Sequence, residues 1–403
     1  MLWLLACTAP FTATPGPSVD SGEVGDTASD TADPTSADWE ALQALLDGQA
    51  TVEDTLQQIS DGQGWPVQGP DGWVFVAQGD GALSWAGDAS AWEPLEMTAG
   101  AGFSWIVVDI PVPQGSGYKF VSGDSYQADP WARAYTYDDF GELSFVRGSG
   151  GHLERLRNVS LAGRARTIRI WVPAQTPTHH LYAHDGQNLF DPSALHGGWR
   201  LQEAVASTTL VVGIDNVGVD RLDEYGPYPD TVDGVALGGG ADALLGNLVT
   251  SLVPRVEEMY GAPQKRGMVG SSMGGLLSLY AGLTQAEHWD YVASLSGTLG
   301  WGSLELDGAT LLSEIAGQDV AIYLDSGGHD GGGCTDSDGD GVQDDAPDAD
   351  NYCVTRQMAD ALAADAWIWE QTLWHWHEAG AEHNEAAWAA RVWRPVGLFE
   401  TLE

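Results

Sequence analysis

Ser272 stands in the stretch Val269-Gly270-Ser271-Ser272-Met273-Gly274-Gly275-Leu276, with a glycine two residues before it and two after, between a short apolar run and a segment patterned as helix to about Gly282. A serine becomes a nucleophile when its hydroxyl is thrust out of a tight strand-to-helix turn, and such a turn admits only very small neighbours. A helix opening at Met273 would aim unpaired N–H groups and its positive dipole end at the same point, where an oxyanion develops during acyl transfer. Serine in a glycine-rich turn is ordinarily just a turn residue, so the reading depends on partners elsewhere in the chain. The loop Asp325-Ser326-Gly327-Gly328-His329-Asp330 carries two carboxylates, one of which can orient a histidine, and the loop Glu378-Ala379-Gly380-Ala381-Glu382-His383-Asn384 offers His383 as general base.

Each of these residues falls where an element ends. Val320-Ala321-Ile322-Tyr323-Leu324 reads as a buried strand running into the two-carboxylate loop. The alternating segment from Trp367 to His377 reads as a last strand, followed by the His383 loop and a helix-like run to Val392. Within that strand His375 and His377 share one face and Trp374 and Trp376 the other, the alternation of any half-buried strand, which outweighs a zinc site built from them with His383. The chain order Ser, then Asp, then His is that of α/β-hydrolases and differs from the chymotrypsin and subtilisin orders.

From about Leu153 to the C-terminus the chain resembles the esterase D and enterochelin-esterase family of α/β-hydrolases, whose relatives include feruloyl and acetyl-xylan esterases and mycolyltransferases. The resemblance is carried by Leu181-Tyr182-Ala183-His184-Asp185-Gly186-Gln187-Asn188-Leu189-Phe190-Asp191, Val211-Val212-Gly213-Ile214-Asp215-Asn216, Arg221 through Glu224-Tyr225, the Ser272 turn, and Gly380 through His383 with Trp388. It implies an α/β-hydrolase with a central, mostly parallel sheet, Ser272 as nucleophile, His383 as base and Asp330 as the acid, with Asp325 as its competitor. It also implies an oxyanion hole made by the N–H of Met273 and one from the Gly186–Gln187 loop. Arg221 and Glu224 are candidate substrate contacts or, equally, an ion pair that holds their loop. The implied function is a serine carboxylic-ester hydrolase acting on a small-molecule or glycan-linked ester through an acyl-enzyme. The alternatives are acyl transfer to a sugar or alcohol and a non-catalytic glycan- or calcium-binding surface protein.

The region before the hydrolase is different in kind. Between Gly64 and Phe145, short runs such as Trp73-Val74-Phe75-Val76 and Trp105-Ile106-Val107-Val108 alternate with Gly, Pro and Asp clusters, the pattern of a small all-β sandwich. Its segments Ala91-Trp92-Glu93-Pro94-Leu95-Glu96-Met97, Tyr118-Lys119-Phe120-Val121 and Ala128-Asp129-Pro130-Trp131-Ala132 resemble early-set immunoglobulin-like modules related to glycogen-binding domains. Trp65, Trp73, Trp85, Trp92, Trp105 and Trp131 are read mainly as packing residues. Helical spacing of Trp39, Leu42, Leu45 and Leu46, and again of Val52, Leu56 and Ile59, places two short helices ahead of the sandwich. The expected division is residues 1–37 as a signal remnant and acidic tether, 38–150 as helices plus sandwich, and 151–403 as the hydrolase.

Composition limits the partners. The 403 residues carry 58 acidic and 16 basic side chains, a net charge of −42, and the first basic residue is Lys119. Such a surface repels nucleic acid and acidic headgroups and argues against a highly anionic substrate. No apolar run reaches the roughly 20 residues of a membrane-spanning helix. The arginines at 155, 157, 164, 166 and 169 interrupt the acidic character and are expected at solvated edge positions. Cys7 follows Leu4-Leu5-Ala6, which resembles a bacterial lipoprotein box, and points to export with a lipid anchor to the cell envelope, or to secretion. Cys334 and Cys353 remain to pair around an acidic insertion at 331–353, as suits an oxidising compartment. There Asp336, Asp338, Asp340 and Asp344, with the Val342 carbonyl and a glycine at the sixth position, have the spacing of a calcium loop. Its twelfth position is Pro347, so Asp348 would supply the closing ligand. Catalysis itself calls for no cofactor.

Overall fold

The computed structural model describes residues 37–402 except 80, 82, 233, 302–319, 330–332, 338, 340, 342, 344–349 and 366. Cys7, Asp330 and the expected calcium ligands Asp338, Asp340, Val342, Asp344 and Asp348 lie outside the described residues. Helical spacing near the N-terminus becomes two helices, Ala37–Leu46 and Val52–Asp61. The second is capped by Thr51, whose hydroxyl accepts the Asp54 N–H at 3.2 Å. Their apolar faces meet Trp65, Val67, Val74 and Phe103.

The sandwich follows. One sheet joins Val67–Gly69, Gly72–Gln78, Phe103–Val108 and Thr98–Ala99; the other contains Ser84–Gly87, Gly117–Ser122, Gly141–Phe145 and Ala134–Asp138. Phe75, Trp85, Tyr118 and Phe120 fill the space between them. Trp65 and Trp85 are buried, which makes them core residues.

The hydrolase strands are β1 (His152–Leu161), β2 (Arg164–Val172), β3 (His179–His184), β4 (Thr209–Ile214), β5 (Lys265–Ser271), β6 (Tyr291–Leu295), β7 (Ala321–Ser326) and β8 (Leu373–His377). Their spatial order is β1-β2-β4-β3-β5-β6-β7-β8. β2 runs antiparallel to both β1 and β4, and every pairing from β4 to β8 is parallel. This is the α/β-hydrolase sheet. The helices α1 (Met273–Thr284), α2 (Tyr352–Asp365), α3 (Glu385–Arg391) and α4 (Trp393–Glu400) cover it. One face packs on Leu276, Leu277, Leu279, Val354 and Leu362; the other packs on Trp388, Val392, Val396 and Phe399. The last strand is shorter than its aromatic alternation suggests. Residues 368–372 form a turn in which the Ile368 carbonyl accepts the N–H groups of Gln371, Thr372 and Leu373.

The sheet does not stop at β1. Leu153 and Glu154 pair with Tyr135 and Ala134 of the sandwich, so the expected boundary at residue 150 falls inside one continuous sheet of 14 strands. This corrects the edge assignment for Arg155, Arg166 and Arg169, whereas Arg157 and Arg164 are part exposed. With strands on both sides of β1 and β2, Arg155 pairs with Glu142 at 2.6 Å, Arg166 with Glu224 at 2.6 Å and Arg169 with Asp215 at 2.8 Å. The described residues from 37 onward belong to one compact unit.

Candidate active site

Ser272 follows β5 with φ 55° and ψ −125°, a backbone conformation that costs a non-glycine residue about 1–3 kcal/mol and that the surroundings must impose. They do so through hydrogen bonds. The Ser272 N–H donates to the Leu295 carbonyl at 3.0 Å, and the Ser272 carbonyl accepts from Leu276 at 3.0 Å and Thr298 at 3.2 Å. A Cβ at position 270 would run into the Gly274 carbonyl, and one at position 274 would lie 3.1 Å from the His184 Cβ. Glycine at 270 is therefore needed for β5 and α1 to meet at this angle, and a side chain at 274 would press on His184. The Ser272 hydroxyl lies 3.3 Å from that of Thr298.

Met273 is the first residue of α1, so its N–H has no acceptor within the helix. The second expected donor segment is a single helical turn, Gly186–Asn188, entered through Asp185 in the left-handed conformation (φ 59°). A Cβ at Gly186 would lie 2.7 Å from an Asp215 carboxylate oxygen, so the loop approaches β4 only with glycine there. The Gln187 side chain folds back and accepts the Asn216 N–H at 3.1 Å.

Arg221 and Glu224 are each held in an ion pair. Arg221 grips Asp185 through Nε at 2.7 Å and Nη2 at 2.8 Å, and Asn216 donates to the same carboxylate at 2.7 Å. Glu224 is buried and held by both terminal nitrogens of Arg166, at 2.9 and 2.6 Å. Each fixes a loop by charge-assisted hydrogen bonds, and they are not paired with each other. His184, beneath the turn, is fully buried, and burial pushes its pKa down to about 4, so it is a neutral ring at working pH.

His383 lies in the loop between β8 and α3, and its Nδ1 is 2.5 Å from Oδ1 of Asp350. Asp350 is buried. It sits near the end of the acidic insertion, two residues before α2. Its Oδ2 accepts the Ser296 hydroxyl at 2.6 Å and the Gly327 N–H. The exit from β7 is laced to the histidine loop, because Gly328 N–H donates to the Ala381 carbonyl at 2.8 Å and Gly380 N–H to the Gly328 carbonyl at 2.9 Å. Trp388 of α3 packs edge-on against the imidazole, with ring centroids 5.1 Å apart.

Asp325 does not face this histidine. It is buried against Arg391, Nε to Oδ1 at 3.1 Å, and accepts the Tyr323 hydroxyl at 3.1 Å. Burial pushes its pKa up to about 6, against the opposing pull of Arg391. Asp350, Ser296, Thr298 and Arg391 were not singled out from the sequence. The one signal available for Asp350 was its position, as the last carboxylate of the tract and three residues before Cys353.

Cys334 and Cys353 form a disulfide with Cα atoms 5.2 Å apart. Of the expected calcium ligands, Asp336 is described. Its carboxylate accepts the N–H groups of Gly339 at 2.7 Å and Gly341 at 3.1 Å, and the loop is docked on α2 by Gln357, which donates to the Gly341 carbonyl at 2.6 Å. His377 Nε2 donates to the Gly328 carbonyl at 3.1 Å, and its ring lies against that of Tyr352.

These parts converge on the carboxyl ends of the parallel strands. A strained serine heads the helix after β5, and a histidine backed by a buried carboxylate lies in the loop after β8. Such groups can carry nucleophilic acyl transfer. The Esterase family model matches residues 160–394. The protein YbbA of Bacillus subtilis (strain 168), itself described as uncharacterized, is 30% identical over 124 residues, which are 29% of this chain and 49% of YbbA. The chain thus spans about half the length of that curated relative. Among solved structures, ferric enterobactin esterase from Salmonella typhimurium matches with a TM-score of 0.44 at 15% identity, covering 83% of this chain and 97% of that one. An IroE-like serine hydrolase from Shewanella oneidensis matches with a TM-score of 0.46 at 18% identity, over 62% and 79%.

Proposed function

Because the chain belongs to the Esterase family, we propose that it is a serine carboxylic-ester hydrolase working through an acyl-enzyme, with Ser272 as nucleophile, His383 as base and Asp350 as the orienting carboxylate. The observation that carries this reading is the His383–Asp350 hydrogen bond, together with a serine held at positive φ at the head of α1. As Ser272 Oγ attacks the ester carbonyl carbon, its proton passes to His383 Nε2 and the carbonyl π pair moves onto oxygen, facing the N–H of Met273 and of the Gly186–Gln187 turn. Collapse expels the alcohol, which takes the proton from His383. Water then adds to the acyl-enzyme by the same route, releasing the acid and returning the proton to Ser272.

The test is hydrolysis of a panel of short-acyl, acetyl and feruloyl esters. Ser272→Ala and His383→Ala should each lower kcat by about 10³-fold or more, and Asp350→Asn by a comparable factor, with the fold intact by circular dichroism. Full activity in Ser272→Ala would end the reading. The net charge of −42 favours neutral esters over polyanionic ones.

The same reading extends to location and ion content. A disulfide suits an exported protein, anchored through Cys7 if that cysteine is lipidated. The loop beginning at Asp336 would hold a structural calcium ion through carboxylate and carbonyl oxygens. Chelation should then lower the thermal midpoint and kcat together, both restored by added calcium; an unchanged midpoint in chelator removes calcium from the account.

A further inference from the structure

We infer that Ser296 is a positioning residue for the proposed reaction, with its hydroxyl proton aimed by Arg391 and Trp388 at one oxygen of Asp350 so that the other oxygen faces His383. The inference rests on the assignment of Asp350 as the orienting carboxylate. A serine hydroxyl has one proton to donate and two lone pairs. At Ser296 all three are assigned. Arg391 Nη2 donates to Oγ at 2.6 Å, Trp388 Nε1 donates at 3.0 Å, and the hydroxyl donates to Asp350 Oδ2 at 2.6 Å. Two N–H donors occupy both lone pairs, so the proton has a single remaining direction.

Arg391 is itself fixed. Its Nε meets Asp325 Oδ1 at 3.1 Å, its Nη1 donates to the Ala387 carbonyl at 3.1 Å, and its Nη2 also lies 3.5 Å from Asp350 Oδ2. Arg391 and Trp388 belong to α3, the helix that follows the His383 loop, whereas Ser296 directly follows β6 and Asp325 is the penultimate residue of β7. The network therefore joins the element bearing the histidine to the carboxylate it uses. It also gives Asp325 a role at one remove, as counter-ion to the guanidinium. Ser296 sits at φ 49°, a conformation glycine adopts without cost.

Ser296→Gly therefore deletes the hydroxyl while suiting the backbone. The expected result is a fall in kcat of about ten- to a hundredfold with KM unchanged, together with loss or displacement of the low-field proton resonance of the His383 Nδ1–H. A purely structural residue would lower the unfolding midpoint and leave that resonance and kcat per folded molecule in place. The paired substitution Arg391→Met with Asp325→Asn removes both buried charges together; it should lower kcat and move the resonance in the same direction. Wild-type kcat and an unmoved resonance in Ser296→Gly, or in the double variant if the first does not fold, overturn the inference. Asp350→Asn measured alongside separates the two readings: if it retains activity, the triad assignment fails, and if it is inactive while Ser296→Gly is normal, the failure is confined to Ser296.

Discussion

Hydrogen in place of a methyl group at position 270 is what lets Ser272 be presented at all. Gly270→Ala would press a Cβ into the Gly274 carbonyl, and that atom belongs to helix backbone, which cannot rotate aside as a side chain can. The expected outcome is a loss of about 1–3 kcal/mol in a urea titration, with labelling of Ser272 by a fluorophosphonate slowed by far more than the stability change accounts for. Labelling at the wild-type rate would show that the turn tolerates the methyl. At this scale the serine turn and the histidine loop were readable, because each depends on neighbours within a few positions. The carboxylate was not. Asp325 lies at the end of β7 and Asp330 and Asp350 between β7 and α2, and which one reaches His383 depends on contacts with Ser296 and Gly327, at strand ends that spacing does not pair with it. Arg221 and Glu224 were found as loop residues, but their partners, Asp185 and Arg166, come from β-strand ends and interiors that spacing does not pair.

Among the elements, the stretch between β7 and α2 stands apart, because the carboxylate lies near the far end of an acidic insertion that follows the strand. The disulfide limits how far that insertion can carry Asp350, since Cys353 lies just beyond it and is tied back to Cys334, 19 residues earlier. Replacing both cysteines by serine should cost about 3 kcal/mol by the loop-entropy relation. It should also lower kcat more than KM rises, because Asp350 loses its downstream tether. Unaltered kcat at a temperature where the variant is fully folded would show that Ser296 and Gly327 suffice. The strands and helices of the hydrolase were legible from apolar periodicity, and the overlong reading of β8 has a simple origin. Aromatic alternation continues from Trp367 through the turn at 368–372, where Trp367 donates its indole N–H to the Val320 carbonyl at 3.0 Å and the chain reverses. Periodicity reports which residues seek burial; it does not report whether the backbone between them is straight.

For the molecule as a whole, the join between sandwich and hydrolase is built from buried charge. Glu154 of β1 receives Arg147 Nη2 at 2.8 Å, the Tyr260 hydroxyl at 2.8 Å and an imidazole nitrogen of His152 at 2.8 Å. Burial alone would raise its pKa, but the His152 hydrogen bond and the charges of Arg147 and Arg133 outweigh it and hold the group at about 2. A carboxylate with a lowered folded pKa stabilises the protein above its unfolded value near 4.5, and that contribution drains away as pH falls toward 2. Glu154→Gln should therefore cost about 3–5 kcal/mol at pH 7, with the gap to wild type closing as the pH drops from 4.5 toward 2; a gap independent of pH would contradict the account. The arginines in this join were misread from the sequence for one reason. An alternating strand looks the same whether solvent or another strand lies beside it, and here β1 lies against Ala134 and Tyr135. Because that pairing carries the sheet from one half of the protein into the other, excising the hydrolase at residue 151 would strip a neighbour from the start of β1 and leave bare peptide groups around Leu153, Glu154 and Arg155. Such a fragment is expected to pair there with strands of its own copies, and the strand Ala134–Asp138 is what covers the site in the whole protein.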